Sequence, residues 1–322
     1  MPANNHHRLS ERKVLVLLGP TASGKTAISL LLARSMNAEI LSADSRQVYR
    51  CLDIGTAKPT AAERDLVPHH FVDVIDPEYP FNAGEFGKQG REVIDEIFAL
   101  GNVPIVVGGS GLYLRGLIDG FFEGPGADQS LREELYKRLH DIGGEGLLED
   151  LRVLDPAAAS RMLPTNTRRI IRALEIVTLT GRPISELQKE KITISFDPVF
   201  AGLQWDRKEL YHRIDERVDR MIDEGLVNEV FALKRKGYTP RYNALQTTGY
   251  VEVFDFIDGK ISFEEMVRLM KRNTRRYAKR QMTWFRQDTR IRWFKVESEA
   301  QFSLTARAII SFFQDTKKRR SL

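Results

Sequence analysis

The sequence predicts an α/β protein: a parallel sheet flanked by helices, with a mostly helical insertion and a helical, basic C-terminal part. Three observations carry this. Short apolar runs at Val14–Leu18, Ala38–Ser42 and Val103–Val107 alternate with stretches of helical spacing, as βα units do. After Gly120 the strand pattern gives way to helical spacing up to about residue 198. The positive charge collects in the last third of the chain.

Val14 to Leu18 is stopped by Gly19-Pro20 and reads as a buried strand. Helical spacing follows from Thr26 to Arg34. Ala38 to Ser42 is a second strand, ending near Asp44, and Phe71 to Ile75 a third, stopped by Asp76-Pro77. Glu85 to Leu100 carries Phe86, Val93, Ile97 and Leu100 at helical spacing, and Val103 to Val107 ends at Gly108-Gly109. Ser130 and Glu133 form a capping-box signature ahead of Leu131, Leu135 and Leu139, and Gly143-Gly144 ends that helix. Leu147 to Val153, Pro156 to Met162 and Thr167 to Leu179 also read as helices. Val199 to Trp205 returns to strand character. Lys208 to Lys236 and Ser262 to about Arg286 are helical, the second with Ser262 and Glu265 as another capping box, and Arg292 to Val296 is a late strand. Three parts result: residues 1–120, the first part of the core; 121–198, a helical insertion; and 199–322, which completes the core and adds basic helices.

Composition narrows the function classes. With 42% hydrophobic and 29% charged residues, the chain can bury a core and is not disordered as a whole. No apolar run approaches the ~20 residues that span a bilayer, so no membrane segment is expected. The single cysteine, Cys51, excludes an internal disulfide and a Cys-rich zinc site. Met1 to Lys13 lacks an apolar stretch and does not read as a secretory signal. A cytoplasmic location is expected. The net charge is +5, but residues 1–120 hold 12 basic and 14 acidic residues, 121–206 hold 11 and 14, and 207–322 hold 26 and 16. Arg268 to Arg292 alone carries ten Lys or Arg and one acid, Asp288. Such a cluster marks either a nucleic-acid face or a solvated helix face.

The strongest motif is Gly19-Pro20-Thr21-Ala22-Ser23-Gly24-Lys25-Thr26, a G-x-x-x-x-G-K-[ST] P-loop between a predicted strand and a predicted helix. Its glycines let backbone amides turn inward around an anion, and the helix N-terminus adds a favourable dipole. Lys25 can reach a terminal phosphate and Thr26 can hold Mg²⁺. The motif identifies a polyphosphate, not a nucleotide. A P-loop NTPase also needs a strand-terminal acid for Mg²⁺. Val103–Val107 ends without one, and Asp76 is as readily a turn former. Asp44 follows the second strand, at the sheet edge where open α/β proteins bind ligands, and could ligate Mg²⁺ or take a proton.

Together these residues resemble the tRNA dimethylallyltransferases, also called tRNA isopentenyltransferases. The resemblance runs through the P-loop, Ser42-Ala43-Asp44-Ser45-Arg46-Gln47-Val48-Tyr49, Asp53-Ile54-Gly55-Thr56-Ala57-Lys58-Pro59 and Pro68-His69-His70. It continues through Gly108-Gly109-Ser110-Gly111-Leu112-Tyr113, Arg172-Ala173-Leu174-Glu175, Ala244-Leu245-Gln246 with Gly249-Tyr250, and Arg276 to Arg286. It covers about residues 13–296. Ser110 stands where Thr is common, keeping the hydroxyl. Thr247, Thr248 and Val251 replace residues that are often apolar or basic in the family. The C-terminal zinc finger of some eukaryotic members is absent, so the chain resembles the bacterial type.

The resemblance implies that a dimethylallyl group moves from dimethylallyl diphosphate to the exocyclic amine of the adenine just 3′ of the anticodon, position 37, in tRNAs reading codons that begin with U. The P-loop, Gly19 to Thr26, would hold the diphosphate with Mg²⁺ on Thr26. An arginine of the segment containing Arg213 and Arg217 would join it, Arg213 being favoured. Asp44 would take the proton, and Lys25 and Ser110 would complete the catalytic set. The tRNA anticodon stem-loop would meet Asp44, Ser45, Arg46 and Gln47. It would also meet Arg168, Arg169, Ile170, Ile171 and Arg172, and Gln246, Thr247, Thr248, Gly249 and Tyr250. Lys279, Arg280, Gln281, Trp284 and Arg286 complete the expected RNA surface. A monomer is expected. Against this stand a P-loop kinase using ATP, a prenyltransferase acting on free adenylate and a non-enzymatic RNA-binding protein.

Overall fold

A computed structural model of the protein describes residues 12–122, 124–190 and 192–318. Residues 1–11, read above as no secretory signal, and the end of the basic tail lie outside them. The chain divides into two compact units, one of residues 1–118 with 194–322, the other of residues 119–193.

The first unit is built on six parallel strands in the order β3-β2-β4-β1-β5-β6. They are β1 (Lys13–Leu18), β2 (Ala38–Ser42), β3 (His69–His70), β4 (Val103–Gly108), β5 (Asp197–Gln204) and β6 (Arg292–Lys295). β1 lies between β4 and β5 and is buried along its whole length, which explains its unbroken apolar run. Helices α1 (Lys25–Met36), α2 (Ala61–Leu66), α3 (Ala83–Ala99) and α4 (Gly111–Ile118) connect the first strands. Asn82 caps α3 with its side chain accepting from Gly84 and Glu85 amides. All strands are parallel, so their carboxyl ends share one edge. There the loops carrying Gly19, Asp44, Gly109, Trp205 and Glu299 emerge. Gly108 is required at that edge, since a Cβ there would lie 2.2 Å from the Ala43 carbonyl oxygen.

The expected strand Phe71–Ile75 is a correction. The strand stops at His70, because Phe71 and Asp73 adopt φ of 62° and 58°, which no extended strand tolerates. Only Ile75 makes an isolated parallel bridge, to Tyr49. The predicted helix Lys208–Lys236 is two helices, α9 (Arg207–Asp223) and α10 (Leu226–Arg235), parted by Gly225 at φ 98°. α11 (Tyr250–Ile257), α12 (Phe263–Phe285) and α13 (Phe302–Lys318) complete this unit. Ser262 caps α12 by accepting from the Glu265 amide, but the Glu265 carboxylate binds Arg268, so only half of the expected box forms.

Among the described residues the second unit's elements are all helices: α5 (Gln129–Leu154), broken at Gly143, then α6 (Pro156–Ala159), α7 (Thr167–Thr180) and α8 (Ile184–Leu187). Its cap is Asp128, not Ser130: the Asp128 carboxylate accepts from the Leu131 amide, two residues earlier than expected. Ile170 and Ile171 belong to this unit's core, at 0% and 3% exposure. That corrects their expected place at the RNA, since neither side chain reaches the surface. Arg172 and Arg132 both bind the fully buried Glu175 carboxylate, and Arg172 also donates to the Pro125 carbonyl. Burial pushes the Glu175 carboxyl up, and the two guanidinium groups more than offset this, holding it below its ordinary range. Arg172 therefore supports the fold, while Arg168 and Arg169 are exposed on α7.

Candidate active site

The P-loop joins β1 to α1 through two left-handed residues, Ala22 at φ 63° and Gly24 at φ 84°. Gly24 is needed twice over, for that φ and because a Cβ would lie 2.3 Å from the Phe302 ring. The loop is held from behind. The Trp205 indole donates to the Ser23 carbonyl (3.0 Å), and Arg213 Nε donates to the Ala22 carbonyl (2.9 Å). The Arg213 guanidinium lies over the Trp205 ring, 4.3 Å from its centroid, and pairs with Glu299 at 2.8 Å.

Lys25 Nζ donates to the Gly19 and Pro20 carbonyls at 3.0 and 2.8 Å. Burial, helped by Arg217 and opposed by Asp44, pushes its ammonium from 10.5 down to about 7. Burial also lowers Arg217, with Asp44 pulling the other way. A polyphosphate would supply the charges these two cations lack. Lys25 should then take up a proton when diphosphate binds above about pH 7. Calorimetric titration with inorganic diphosphate at about pH 8, in buffers of different ionisation enthalpy, should show that uptake, and affinity should fall as pH rises. Diphosphate itself exchanges protons near this pH, so the Lys25 contribution is the difference between the unsubstituted protein and Lys25→Arg; equal buffer dependence in both proteins would contradict the assignment to Lys25.

Asp44 follows β2, as its sequence position suggests. Its Oδ1 accepts from the amides of Arg46 (2.8 Å) and Gln47 (3.4 Å), and among the described residues none donates to Oδ2. A cavity of about 310 Å³ spans the P-loop, Asp44, Gln47, Arg213, Arg217 and Tyr277. A second, of about 280 Å³, is lined by Asp44, Ser45, Arg46, Gln246 to Gly249 and Arg280. Thr21, Asp44, Thr56, Arg217 and Tyr277 line both, so the two cavities adjoin and Asp44 lies between them. A group held at the P-loop and one entering past Gln246 would meet at Asp44.

Several expected residues lie elsewhere or serve the scaffold. Gln281 is 7% exposed: its side-chain carbonyl accepts from the Thr21 amide (2.9 Å) and its amide donates to the Gly109 carbonyl (2.8 Å). It ties α12 to the P-loop and to the turn before Ser110, which corrects its expected place on the RNA surface. Tyr250 is buried, with its hydroxyl on Glu229 (2.6 Å). Lys279 and Arg286 line a separate cavity with Pro20 and Trp205. Trp284 lies across Gly111 and is 36% exposed, whereas Phe285 is buried. Ser110 follows Gly109, which lines the P-loop cavity, and donates its amide to the Ala43 carbonyl (3.4 Å). Asp76 pairs with Arg50. In the basic stripe, Arg275 is already bound to Asp215 through both carboxylate oxygens, Lys271 to Asp219 and Arg268 to Glu265. The core side of α12 is Met266, Met270, Ala278, Gln281 and Phe285, whereas Phe263 and Tyr277 are partly exposed. Glu229, unmarked in the sequence, emerges as a hub of backbone contacts; an isolated Glu on a helix carries no signal of that role.

Fold and site together define an α/β protein of the P-loop class, with Asp44 between the P-loop cavity and a second cavity that reaches the basic helix α12. The chain matches the IPP transferase family profile over residues 47–288 and an isopentenyl transferase profile over residues 12–73. It is 46% identical over 298 residues to the tRNA dimethylallyltransferase of Pelotomaculum thermopropionicum, covering 92% of this chain and 95% of that protein. The full-length tRNA isopentenylpyrophosphate transferase of Bacillus halodurans is 40% identical with a TM-score of 0.71, covering 97% of this chain and all of that one. A eukaryotic dimethylallyltransferase acting on tRNA is 30% identical with a TM-score of 0.80, covering 94% of this chain and 80% of that one. The chain therefore belongs to the IPP transferase family, that of the tRNA dimethylallyltransferases.

Proposed function

We infer that this chain transfers a dimethylallyl group from dimethylallyl diphosphate to tRNA and releases diphosphate. The acceptor is the exocyclic amine of the adenine at position 37. The observation that carries this reading is the position of Asp44, whose carboxylate lies between the P-loop cavity and the cavity bordered by Ser45, Arg46 and Gln246–Gly249. The allylic C–O bond breaks as diphosphate leaves, the C–N bond forms, and Asp44 takes the proton of the amine. Charge building on the leaving oxygens is stabilised by Lys25, Arg217 and the loop amides. Within the cavity the Thr26 hydroxyl is an oxygen donor that suits Mg²⁺, an ion that keeps most of its waters and leans on substrate phosphates. Thr26 would hold it, and when bound it would neutralise leaving-group charge.

The adenine must leave its stack to reach Asp44. Ser45, Arg46 and the Gln246–Gly249 turn border its path, and Arg46 is fixed by donating to the Asn243 and Gln246 carbonyls. Lys279, Arg280 and Arg286 on the exposed side of α12, with Arg168 and Arg169, are the cations for RNA phosphates. Lys279→Gln with Arg280→Gln should weaken tRNA binding and flatten its log–log salt slope by about one to two units, leaving diphosphate affinity unchanged. An unaltered slope would remove α12 from the RNA surface.

The function itself is tested by inhibition. Inorganic diphosphate should compete with dimethylallyl diphosphate, and ATP should not be consumed. Stoichiometric ADP formation would favour phosphoryl transfer instead.

A further inference from the structure

The segment Asp53–Pro59 carries part of the family resemblance, yet none of its side chains has a part in the chemistry above. We propose that Glu229, supported by Tyr250, is a positioning residue that sets the shape of this loop and, through it, the direction of Arg217. The proposal rests on the diphosphate site inferred above.

One Glu229 carboxylate accepts four hydrogen bonds. Three come from successive backbone amides, Asp53 (3.1 Å), Ile54 (2.8 Å) and Gly55 (3.4 Å), and the fourth from the Tyr250 hydroxyl (2.6 Å). Consecutive amides converging on an anion make a nest, here filled by a side chain of α10. The Tyr250 ring packs so closely that a Cβ on Gly55 would lie 2.4 Å from it. Burial and the adjacent Glu229 push the Tyr250 hydroxyl up, so it stays protonated and donates.

The other end of the loop is pinned as firmly. Buried Lys58 donates to the Tyr49 carbonyl (2.8 Å) and to the carboxylates of Asp53 and Asp73, each at 2.5 Å. Between the two anchors Ala57 takes φ 44°, a conformation that persists only when its surroundings impose it. The Thr56 hydroxyl closes the loop on the Leu52 carbonyl (2.7 Å).

What the loop presents to the site is carbonyl oxygen. The Thr56 carbonyl accepts from Gln47 Nε2 (3.3 Å) and from Arg217 Nη2 at the outer limit of 3.5 Å, and the Ala57 carbonyl accepts from Gln47 Nε2 (3.1 Å). Arg217 lines both adjoining cavities, and a guanidinium on a long stem needs such a guide to aim at phosphate. A displacement of about 1 Å in a positioned group can cost about 10²-fold.

The test is a double-mutant cycle read by inorganic diphosphate affinity, which needs no prenyl acceptor and so stands apart from the fate of the transferase reading. Glu229→Gln should weaken diphosphate binding about tenfold. In an Arg217→Gln background the same change should cost little more, because its effect passes through Arg217. Unchanged affinity in Glu229→Gln, or losses that add fully, would overturn the proposal. Tyr250→Phe removes one of the four donors and should act in the same direction, several-fold, only when Arg217 is present. If Glu229→Gln does not fold, the Tyr250→Phe pair of measurements decides the matter by the same criterion.

Discussion

Asp44→Asn should leave the fold and tRNA binding intact and lower turnover by about 10²–10⁴-fold. Asp44 Oδ1 is held by the Arg46 and Gln47 amides, and an asparagine carbonyl can accept both. The side-chain orientation therefore survives, and what is lost is the ability to take a proton from a weakly basic aromatic amine. Melting temperature and tRNA affinity measured on the same preparation separate this from misfolding. Turnover within a few-fold of the unsubstituted protein would remove Asp44 from the proton transfer.

Arg217→Gln should lower turnover by about 10²–10³-fold and weaken inorganic diphosphate binding in parallel, since it removes a desolvated cation facing developing charge. Arg213→Gln should behave differently. Arg213 is bonded to the Ala22 carbonyl and to Glu299 and lies against Trp205, so its loss should loosen the P-loop and lower the melting temperature. Comparing the two variants for diphosphate affinity and thermal stability distinguishes ligand contact from support. Near-normal diphosphate affinity in Arg217→Gln would contradict its assignment.

The difference between these two arginines shows where sequence reading stops. Both fall on one face of a helix at i, i+4, and the sequence favours Arg213. Both line the P-loop cavity, but only tertiary packing brings Trp205, Phe302, Glu299 and the Ala22 carbonyl around Arg213 and gives Arg217 a single long contact to the Thr56 carbonyl among the described residues. The P-loop and Asp44 were legible because local chain geometry determines them: a strand end, a tight turn and a helix start lie within a few residues. The same holds for the βα alternation of the core. Phe71–Ile75 misled because apolar β-branched composition cannot reveal the positive φ of Phe71 and Asp73. Gln281 and Ile170 misled for another reason. Membership of a basic or RNA-associated segment says nothing about which side of its helix a residue occupies, and both point into cores. Arg275 likewise sits in a positive stripe, but its charge is already matched by Asp215 across 60 residues of sequence.

The most direct test of the central claim is to incubate the protein with dimethylallyl diphosphate, Mg²⁺ and unmodified tRNA, and then analyse the digested nucleosides by mass. The account predicts an adenosine carrying one added C₅H₈ unit, mapped by nuclease fragments to position 37. It should form without ATP and be strongly reduced by Asp44→Asn. In parallel mixtures supplied with adenylate or with ATP, prenylated free adenylate beside unmodified tRNA, or unmodified adenosine accompanied by ATP breakdown, would contradict it.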